Sequence, residues 1–209
     1  MVTRGQYLER PALIPLGAEV LEGLWHRGTK TPPLLVVPPP PEQGSMDHVV
    51  CAELAWAAAH AGHPVLRFNF RGVGASQGPR GNPWSRAEDA EAALTLLREN
   101  AQHTEVGVAA VGASAQTALA LARSQPEIVG VALISPAGPL DLSSLAMALL
   151  CVIGESEESG SAQLSAALSS VAGRLVVIPE ADARFHRNLA LVGRTVIRWL
   201  PGAFKPSNS

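Results

Sequence analysis

Residues 67–78 have the sequence RFNFRGVGASQG, in which a short apolar strand runs directly into a glycine-rich loop. The strand is predicted over residues 64–70, and the loop continues to residue 83 because Gly and Pro recur along it. Two further apolar runs, at residues 34–37 and 106–111, are separated from this strand by Ala-rich segments that are typical of helices. Strands that alternate with helices pair in parallel and have helices on both faces. The sequence therefore predicts a three-layer α/β domain with a mostly parallel sheet.

The same alternation extends toward both ends of the chain. An antiparallel edge strand is predicted at residues 20–26, reached from residues 12–14 through Gly17, and a helix is predicted at residues 46–60. The later strands are predicted at residues 128–134, 149–153 and 175–178, and the later helices at residues 115–124, 161–171 and 186–200.

The helix between the strands at residues 64–70 and 106–111 has an N-terminal signature of its own. Ser85 is predicted as the residue that caps this helix, and Glu88 stands three residues further on, where it completes a capping box. The helix is expected to end near Asn100.

Length and composition limit the function. The 209 residues predict one domain over residues 1–209, with a core over about residues 8–200 and a frayed tail at residues 204–209. A net charge of −2 gives no basic surface for nucleic acid. No apolar run reaches the roughly 18 residues that a membrane span needs, and the first residues do not resemble a signal peptide. A cytoplasmic protein with no membrane or nucleic-acid partner is therefore expected.

The cysteines and glycines predict no metal and no cofactor. Cys51 and Cys151 lack the spacing of zinc ligands or of a disulfide framework, and each is predicted as a small core residue. The glycines of the loop at residues 71–83 do not open a helix directly, so a dinucleotide-binding turn is not expected.

A serine stands at the predicted turn between the strand at residues 106–111 and the next helix. The local sequence is VGASAQ, with Ser114 placed so that its hydroxyl points out over the sheet. The nucleophile pattern G-x-S-x-G is met by Gly112 on one side, whereas Gln116 replaces the second glycine. From these residues alone, Ser114 is either a catalytic nucleophile or the N-cap of an ordinary helix.

Four stretches resemble one branch of the α/β-hydrolases. RFNFRGVGASQG resembles a lidless bacterial branch that is related to dienelactone hydrolases and acyl-peptidase-type esterases, and similarity runs in order from about residue 8 to residue 200. The other three stretches are QGSM (43–46), VIGESEE (152–158) and IPEADARFHRNL (178–189). The resemblance implies an α/β-hydrolase fold without a lid domain, and a serine esterase or acyl-hydrolase activity in a bacterial protein.

The resemblance also assigns a catalytic triad, one residue at a time. The nucleophile of the branch falls on Ser114, and its acid falls on Glu157, where an aspartate is usual. Its catalytic histidine falls on Ala183. His186 matches a second histidine of the motif that lies outside the triad, so it is a candidate base only if the loop is rebuilt.

The oxyanion hole implied by the resemblance is also altered. One amide would come from Ala115, and the other from the loop after the strand at residues 34–37. That loop is Pro38-Pro39-Pro40-Pro41, and proline has no N–H to donate. Glu42 is the first residue after the prolines that could donate, and its carboxylate would repel an oxyanion.

Two functions follow from these observations. The first is a hydrolase-fold protein with a degenerate triad and weak or no activity, whose cleft binds a ligand or whose surface binds a partner. The second is an active serine hydrolase of small esters, with Ser114 as nucleophile, Glu157 as acid and His186 as a displaced base. A small ester or acyl compound is the expected ligand in either case, and the sequence leaves the oligomeric state open.

Overall fold

The computed structural model describes residues 9–171 and 173–203, so the tail predicted at residues 204–209 lies outside the described residues. Eight strands form one sheet in the order β1-β2-β4-β3-β5-β6-β7-β8. β2 is antiparallel to both of its neighbours, and all other pairs are parallel. The strands are β1 Arg10–Leu16, β2 Glu19–His26, β3 Leu34–Val37, β4 Val65–Phe68, β5 Val106–Val111, β6 Ile128–Ile134, β7 Ala148–Gly154 and β8 Gly173–Ile178.

In the described residues, five α-helices cover the two faces of this sheet. They are α1 Val49–Ala61, α2 Pro83–Ala101, α3 Ala115–Ser124, α4 Ser161–Ser169 and α5 Leu189–Ala203, with short 3₁₀ turns at Gly112–Ser114 and Glu155–Gly160. The predicted three-layer α/β architecture with a mostly parallel sheet is therefore confirmed. Within the described residues, the connection between β6 and β7 contains no helix, which agrees with the predicted absence of a lid domain.

The apolar residues of the strands divide between two cores because successive side chains point to opposite faces. In β3, Leu34 and Val36 pack with α1 and α5, whereas Leu35 and Val37 pack on the other face with α2 and α3. Full burial of each such side chain contributes about 1.5–3 kcal/mol to folding. A strand that is apolar at every position is thus explained by a sheet that is covered on both faces.

The beginning of α2 differs from the prediction. Asn82 caps this helix, because its side-chain oxygen accepts hydrogen bonds from the amides of Trp84 and Ser85 at 3.0 and 3.1 Å. Pro83 occupies the first helical position, where the missing N–H costs nothing. Ser85 therefore lies inside the first turn, and the predicted capping box with Glu88 is wrong.

The edge of the sheet also differs from the prediction. Residues 20–26 were expected at the edge, but residues 10–16 form a full strand that pairs with β2 and takes the outer position. The side chain of Leu13 on this outer strand is 74% exposed.

No helix in the described part of the chain combines the length and the apolar character that a membrane crossing requires.

The loop after β4 is fixed by buried polar contacts. Asp89 of α2 is fully buried and accepts from the backbone amide of Arg71 at 2.9 Å and from its Nε at 2.6 Å. Ser76 is also buried; its Oγ donates to the carbonyl of Asn69 at 2.8 Å and accepts from the amide of Glu22 at 2.9 Å. This loop, which carries most of RFNFRGVGASQG, is therefore a structural element that holds α2 against the sheet.

Candidate functional site

The turn between β5 and α3 has its apex at Gly112. Gly112 has a φ of +62°, the left-handed conformation, whereas Ser114 has a φ of −71° and a ψ of −2° and already lies in helical backbone. In the strand-to-helix turn of a serine hydrolase, the nucleophile occupies the sharp, strained position and its oxygen is exposed. In this chain that backbone position holds a glycine.

The hydroxyl of Ser114 does not project over the sheet as the sequence predicts. Ser114 is 1% exposed, and its Oγ has no hydrogen-bond partner among the described residues. His186 belongs to the described residues, so the structure does not join the predicted nucleophile and the predicted base. A buried hydroxyl without a partner loses its hydration and gains no bond in return.

The space above Gly112 is open. A Cβ built on Gly112 would meet only Oε1 of Gln43, at 3.2 Å. Gln43 is exposed, so its side chain has room to move. A side chain at position 112 would therefore extend from the carboxyl edge of the sheet, where the ligand sites of such sheets lie.

Ala115, one of the two predicted oxyanion donors, has its amide already engaged. The amide of Ala115 donates to the carbonyl of Gly112 within the 3₁₀ turn, so it is already occupied. Beyond the prolines, the amides of Gln43 and Gly44 both donate to the carbonyl of Pro40, at 2.8 and 3.1 Å. Glu42 is exposed, with a carboxylate oxygen 3.9 Å from the guanidinium of Arg86.

Glu157 is held at the carboxyl edge, just after β7. Its Oε2 accepts from the hydroxyl of Ser135 at 2.7 Å and from the amide of Gly154 at 2.8 Å. Ser135 directly follows β6, so the two contacts bridge the ends of neighbouring strands. The acid position predicted from the sequence is thus occupied by a carboxylate in a fixed orientation.

The loop after β8 carries an exposed histidine and carboxylate pair. His186 Nδ1 lies 2.6 Å from Asp182 Oδ2, and this hydrogen bond lowers the pKa of Asp182 to about 2. Ala183, the predicted histidine position, is exposed. The loop lies against the end of β7, because the amide of Ser156 donates to the carbonyl of Ala181 at 3.1 Å.

The two cysteines lie in the core, as predicted. Cys51 and Cys151 are both fully buried, and burial raises the pKa of each thiol to about 12. A thiol with so high a pKa is protonated at neutral pH and is a poor nucleophile. Among the described residues, no group of three or more His, Cys, Asp or Glu side chains is placed to hold a metal ion.

Three solved structures resemble this chain over nine tenths of its length or more. A dienelactone hydrolase from Anabaena variabilis has a TM-score of 0.80 at 19% identity and covers 94% of this chain and 98% of its own. An α/β serine hydrolase homologue from Coxiella burnetii has a TM-score of 0.75 at 24% identity, with 91% and 97% covered. A serine hydrolase without a lid from Xanthomonas campestris has a TM-score of 0.74 at 24% identity, with 92% and 95% covered.

This chain has the α/β-hydrolase fold. The resemblance seen in the sequence is therefore confirmed for the fold. No protein-family model matches the chain. An uncharacterized protein from Rickettsia prowazekii (strain Madrid E) is 34% identical over 120 residues, which is 56% of this chain. The match spans 50% of the length of that relative.

In this α/β-hydrolase fold, the left-handed position of the turn after β5 is Gly112, which the sequence did not single out. The nucleophile turn needs small residues two positions before and two positions after its apex. Gly112 meets both conditions, with Ala110 before it and Ser114 after it, whereas Ser114 is followed by Gln116. Small residues on both sides of Gly112 were the available signal, which a nucleophile pattern centred on Ser114 does not detect.

Proposed function

We propose that this protein is a non-catalytic member of the α/β-hydrolase fold, with a degenerate triad and weak or no hydrolase activity. One observation carries the proposal: the left-handed apex of the strand-to-helix turn is Gly112, while the hydroxyl of Ser114, two residues further on, is buried. The nucleophile position of the fold then has no side chain. A cytoplasmic location in a bacterium remains part of this proposal, on the resemblance of the sequence.

The chemistry of acyl transfer supports this reading. A serine hydrolase needs a hydroxyl that attacks the carbonyl carbon and a histidine that takes its proton. On this proposal the first group is absent at Gly112 and the second at Ala183, and Glu157 alone remains in place. Loss of the nucleophile or the base alone costs on the order of a millionfold in turnover in a well-studied serine protease.

We propose further that the edge above Gly112 binds a small ester or acyl compound without cleaving it. Two glutamine amides border this edge: Gln43 lies beside Gly112, and Nε2 of Gln116 lies 3.2 Å from where a Cβ of Gly138 would be. Side-chain amides of this kind donate hydrogen bonds to carbonyl oxygens. Both glutamines are exposed, so a ligand can reach them.

A fluorophosphonate probe with intact mass spectrometry tests the missing nucleophile. We expect no adduct on the natural protein after prolonged incubation, because no serine at this edge is both exposed and paired with a base. Ser114→Ala is the matched control and should behave in the same way. A rapid single adduct that disappears in Ser114→Ala would instead support the active hydrolase with Ser114, Glu157 and His186.

Restoring the missing groups tests the proposal in the opposite direction. Gly112→Ser combined with Ala183→His should create a hydroxyl that the fluorophosphonate probe labels. The new Cβ has room, because it would meet only the exposed side chain of Gln43. Hydrolysis of p-nitrophenyl acetate should rise only modestly, since the proline loop supplies no second donor and losing one such donor costs about 100- to 1,000-fold. Ser114→Thr combined with Ala183→His is the control, and equal labelling of that variant would contradict the proposal.

A further inference from the structure

A large cavity lies at the end of the sheet opposite to the hydrolase edge. Its volume is about 960 Å³, and it is lined by the first residues of β1, by the end of β2 and the residues that follow it, by the last turn of α1 and by the last turns of α2. The loop after β2, α1 and α2 precede the amino ends of β3, β4 and β5, respectively, whereas Gly112 follows the carboxyl end of β5. The cavity is therefore separate from the site described above. Pockets that hold small molecules commonly have volumes of about 300–1,000 Å³.

The charged residues of this cavity all have the same sign. Arg10, Arg27 and Lys30 line it, and no Asp or Glu is found among its described lining residues. All three side chains are exposed, and none forms an ion pair with another described residue. This local excess of positive charge stands in a protein whose net charge is −2. A concave surface with one sign of charge concentrates ligands of the opposite sign.

The end of α1 does not account for these cations. A helix C-terminus carries partial negative charge and attracts basic side chains. Here the carbonyl of Gly62 accepts from the amides of Thr29 and Lys30 at 2.9 and 3.0 Å, and the amide of Gly62 bonds to the carbonyls of Ala58 and Ala59. Backbone groups thus satisfy the last turn, and the three charged side chains remain available to a ligand.

A buried histidine and an apolar wall complete the cavity. His26 lines the cavity and is 5% exposed; its Nε2 bonds to Glu9 at 3.0 Å, but its Nδ1 is buried without a partner. Trp25 and Leu96 add apolar surface beside the cations. An unpaired buried nitrogen is unusual in folded proteins, because most such groups find a partner.

We propose that this cavity is a binding site for a small organic anion, with a carboxylate or phosphate group and an apolar body. The anionic group lies among Arg10, Arg27 and Lys30, and the body contacts the apolar wall beside Trp25. This site is independent of the hydrolase edge, so its occupation does not depend on the function proposed for that edge.

Two fluorescent probes with the same aromatic body test the charge requirement. The sulfonate 8-anilinonaphthalene-1-sulfonate should bind with a stoichiometry of one, whereas the neutral N-phenyl-1-naphthylamine should bind more weakly. Binding of the sulfonate should weaken as sodium chloride is raised, because salt screens exposed charges. Phenyl phosphate or benzoate should displace the sulfonate, and benzyl alcohol should not. Displacement by the phosphate alone or by the benzoate alone would identify the preferred anionic group.

Charge-neutralising variants locate the site. Arg27→Gln and Lys30→Gln should each weaken the sulfonate about threefold, and the double variant about tenfold, as expected for exposed charge pairs. Arg174→Gln removes an exposed cation at the start of β8, outside the cavity, and should leave the affinity unchanged. Equal affinity for the two probes, displacement by benzyl alcohol, or equal effects of Arg174→Gln and Arg27→Gln would overturn the proposal.

Discussion

The loop after β4 and the turn after β5 lie at the same edge of the sheet, yet they differ in how their polar groups are satisfied. In the loop after β4, Arg71 donates two hydrogen bonds to Asp89 of α2, and the hydroxyl of Ser76 both donates and accepts. In the turn after β5, the hydroxyl of Ser114 has no partner among the described residues and the apex is a glycine. The first region thus has its buried polar groups paired, whereas the second leaves a buried hydroxyl unpaired beside a left-handed glycine.

This difference shows that a fold and its chemistry depend on separate sets of residues. The shape of the sheet edge depends on apolar strands and on buried ion pairs such as that of Asp89. Acyl transfer depends on a few side chains at the ends of these strands, which can change while the strands stay the same. Function must therefore be argued from the site and not from the fold.

The largest effect is expected when Arg71, in the loop after β4, loses its buried partner Asp89 of α2. Asp89→Ala leaves the mostly buried guanidinium of Arg71 without its main partner and should lower the free energy of unfolding by about 4 kcal/mol. Glu88→Ala removes an exposed carboxylate from the same arginine, 3.1 Å away, and should cost only about 0.5 kcal/mol. Urea unfolding measures the free energy of unfolding of both variants. Similar losses would mean that burial does not decide how strongly the two ion pairs stabilise the fold.

Two glycines extend the comparison to backbone packing. A Cβ on Gly28 would lie 2.4 Å from backbone atoms of Gly62, His63 and Pro64, so Gly28→Ala should cost about 3 kcal/mol. Gly112→Ala meets only a flexible glutamine and should cost about 1 kcal/mol, for the left-handed backbone alone. Thermal unfolding of the two variants shows which one loses more stability. An equal loss in both would show that the turn after β5 is packed as tightly as the backbone around Gly28.

Two buried serines should respond with opposite signs. Ser76→Ala leaves the amide of Glu22 and the carbonyl of Asn69 without a partner and should cost about 2 kcal/mol. Ser114→Ala removes a hydroxyl that has no partner and should raise stability by up to about 1 kcal/mol. Urea unfolding at neutral pH compares them. A clear loss of stability in Ser114→Ala would reveal a hydrogen bond at that hydroxyl and would weaken the contrast between the two regions.

The smallest effect concerns the exposed pair in the loop after β8. The hydrogen bond from His186 lowers the pKa of Asp182 from 3.8 to about 2, so the carboxylate should stay ionised at pH 3. Because the folded pKa is lowered, the stabilisation is present above pH 3.8 and disappears as the pH falls toward 2. An NMR titration follows the carboxyl carbon, and His186→Ala should return the pKa toward 3.8. An unchanged pKa would show that His186 is engaged elsewhere.

The fold was predictable from the sequence because its apolar runs are long enough to identify the strands from β2 to β8, although not the outer strand β1. Leu34–Val37 and Val106–Val111 are apolar at nearly every position, which is typical of strands covered on both faces. Boundaries were less predictable where two signals compete. Asn82 and Ser85 are both good caps, and Pro83 between them decides in favour of Asn82 because proline suits the first helical position.

The site was predictable only in part. Glu157 lies at the carboxyl edge as expected, because its position follows directly from the end of β7. A serine and one glycine two residues apart do not by themselves predict which of the two residues occupies the apex of the turn after β5. Gly112 and Ser114 are both small enough for either position, and only the backbone dihedral angles distinguish the apex from the first helical turn.

The outer strand β1 limits how copies of this molecule can pair through the edges of their sheets. Pro11 and Pro15 stand four residues apart in β1, on the side that faces away from β2, and neither has an N–H. A strand from another chain would find a donor at Leu13 but none at the two flanking prolines. This edge of the sheet therefore cannot template a continuous ladder of hydrogen bonds, which protects it against strand addition and aggregation.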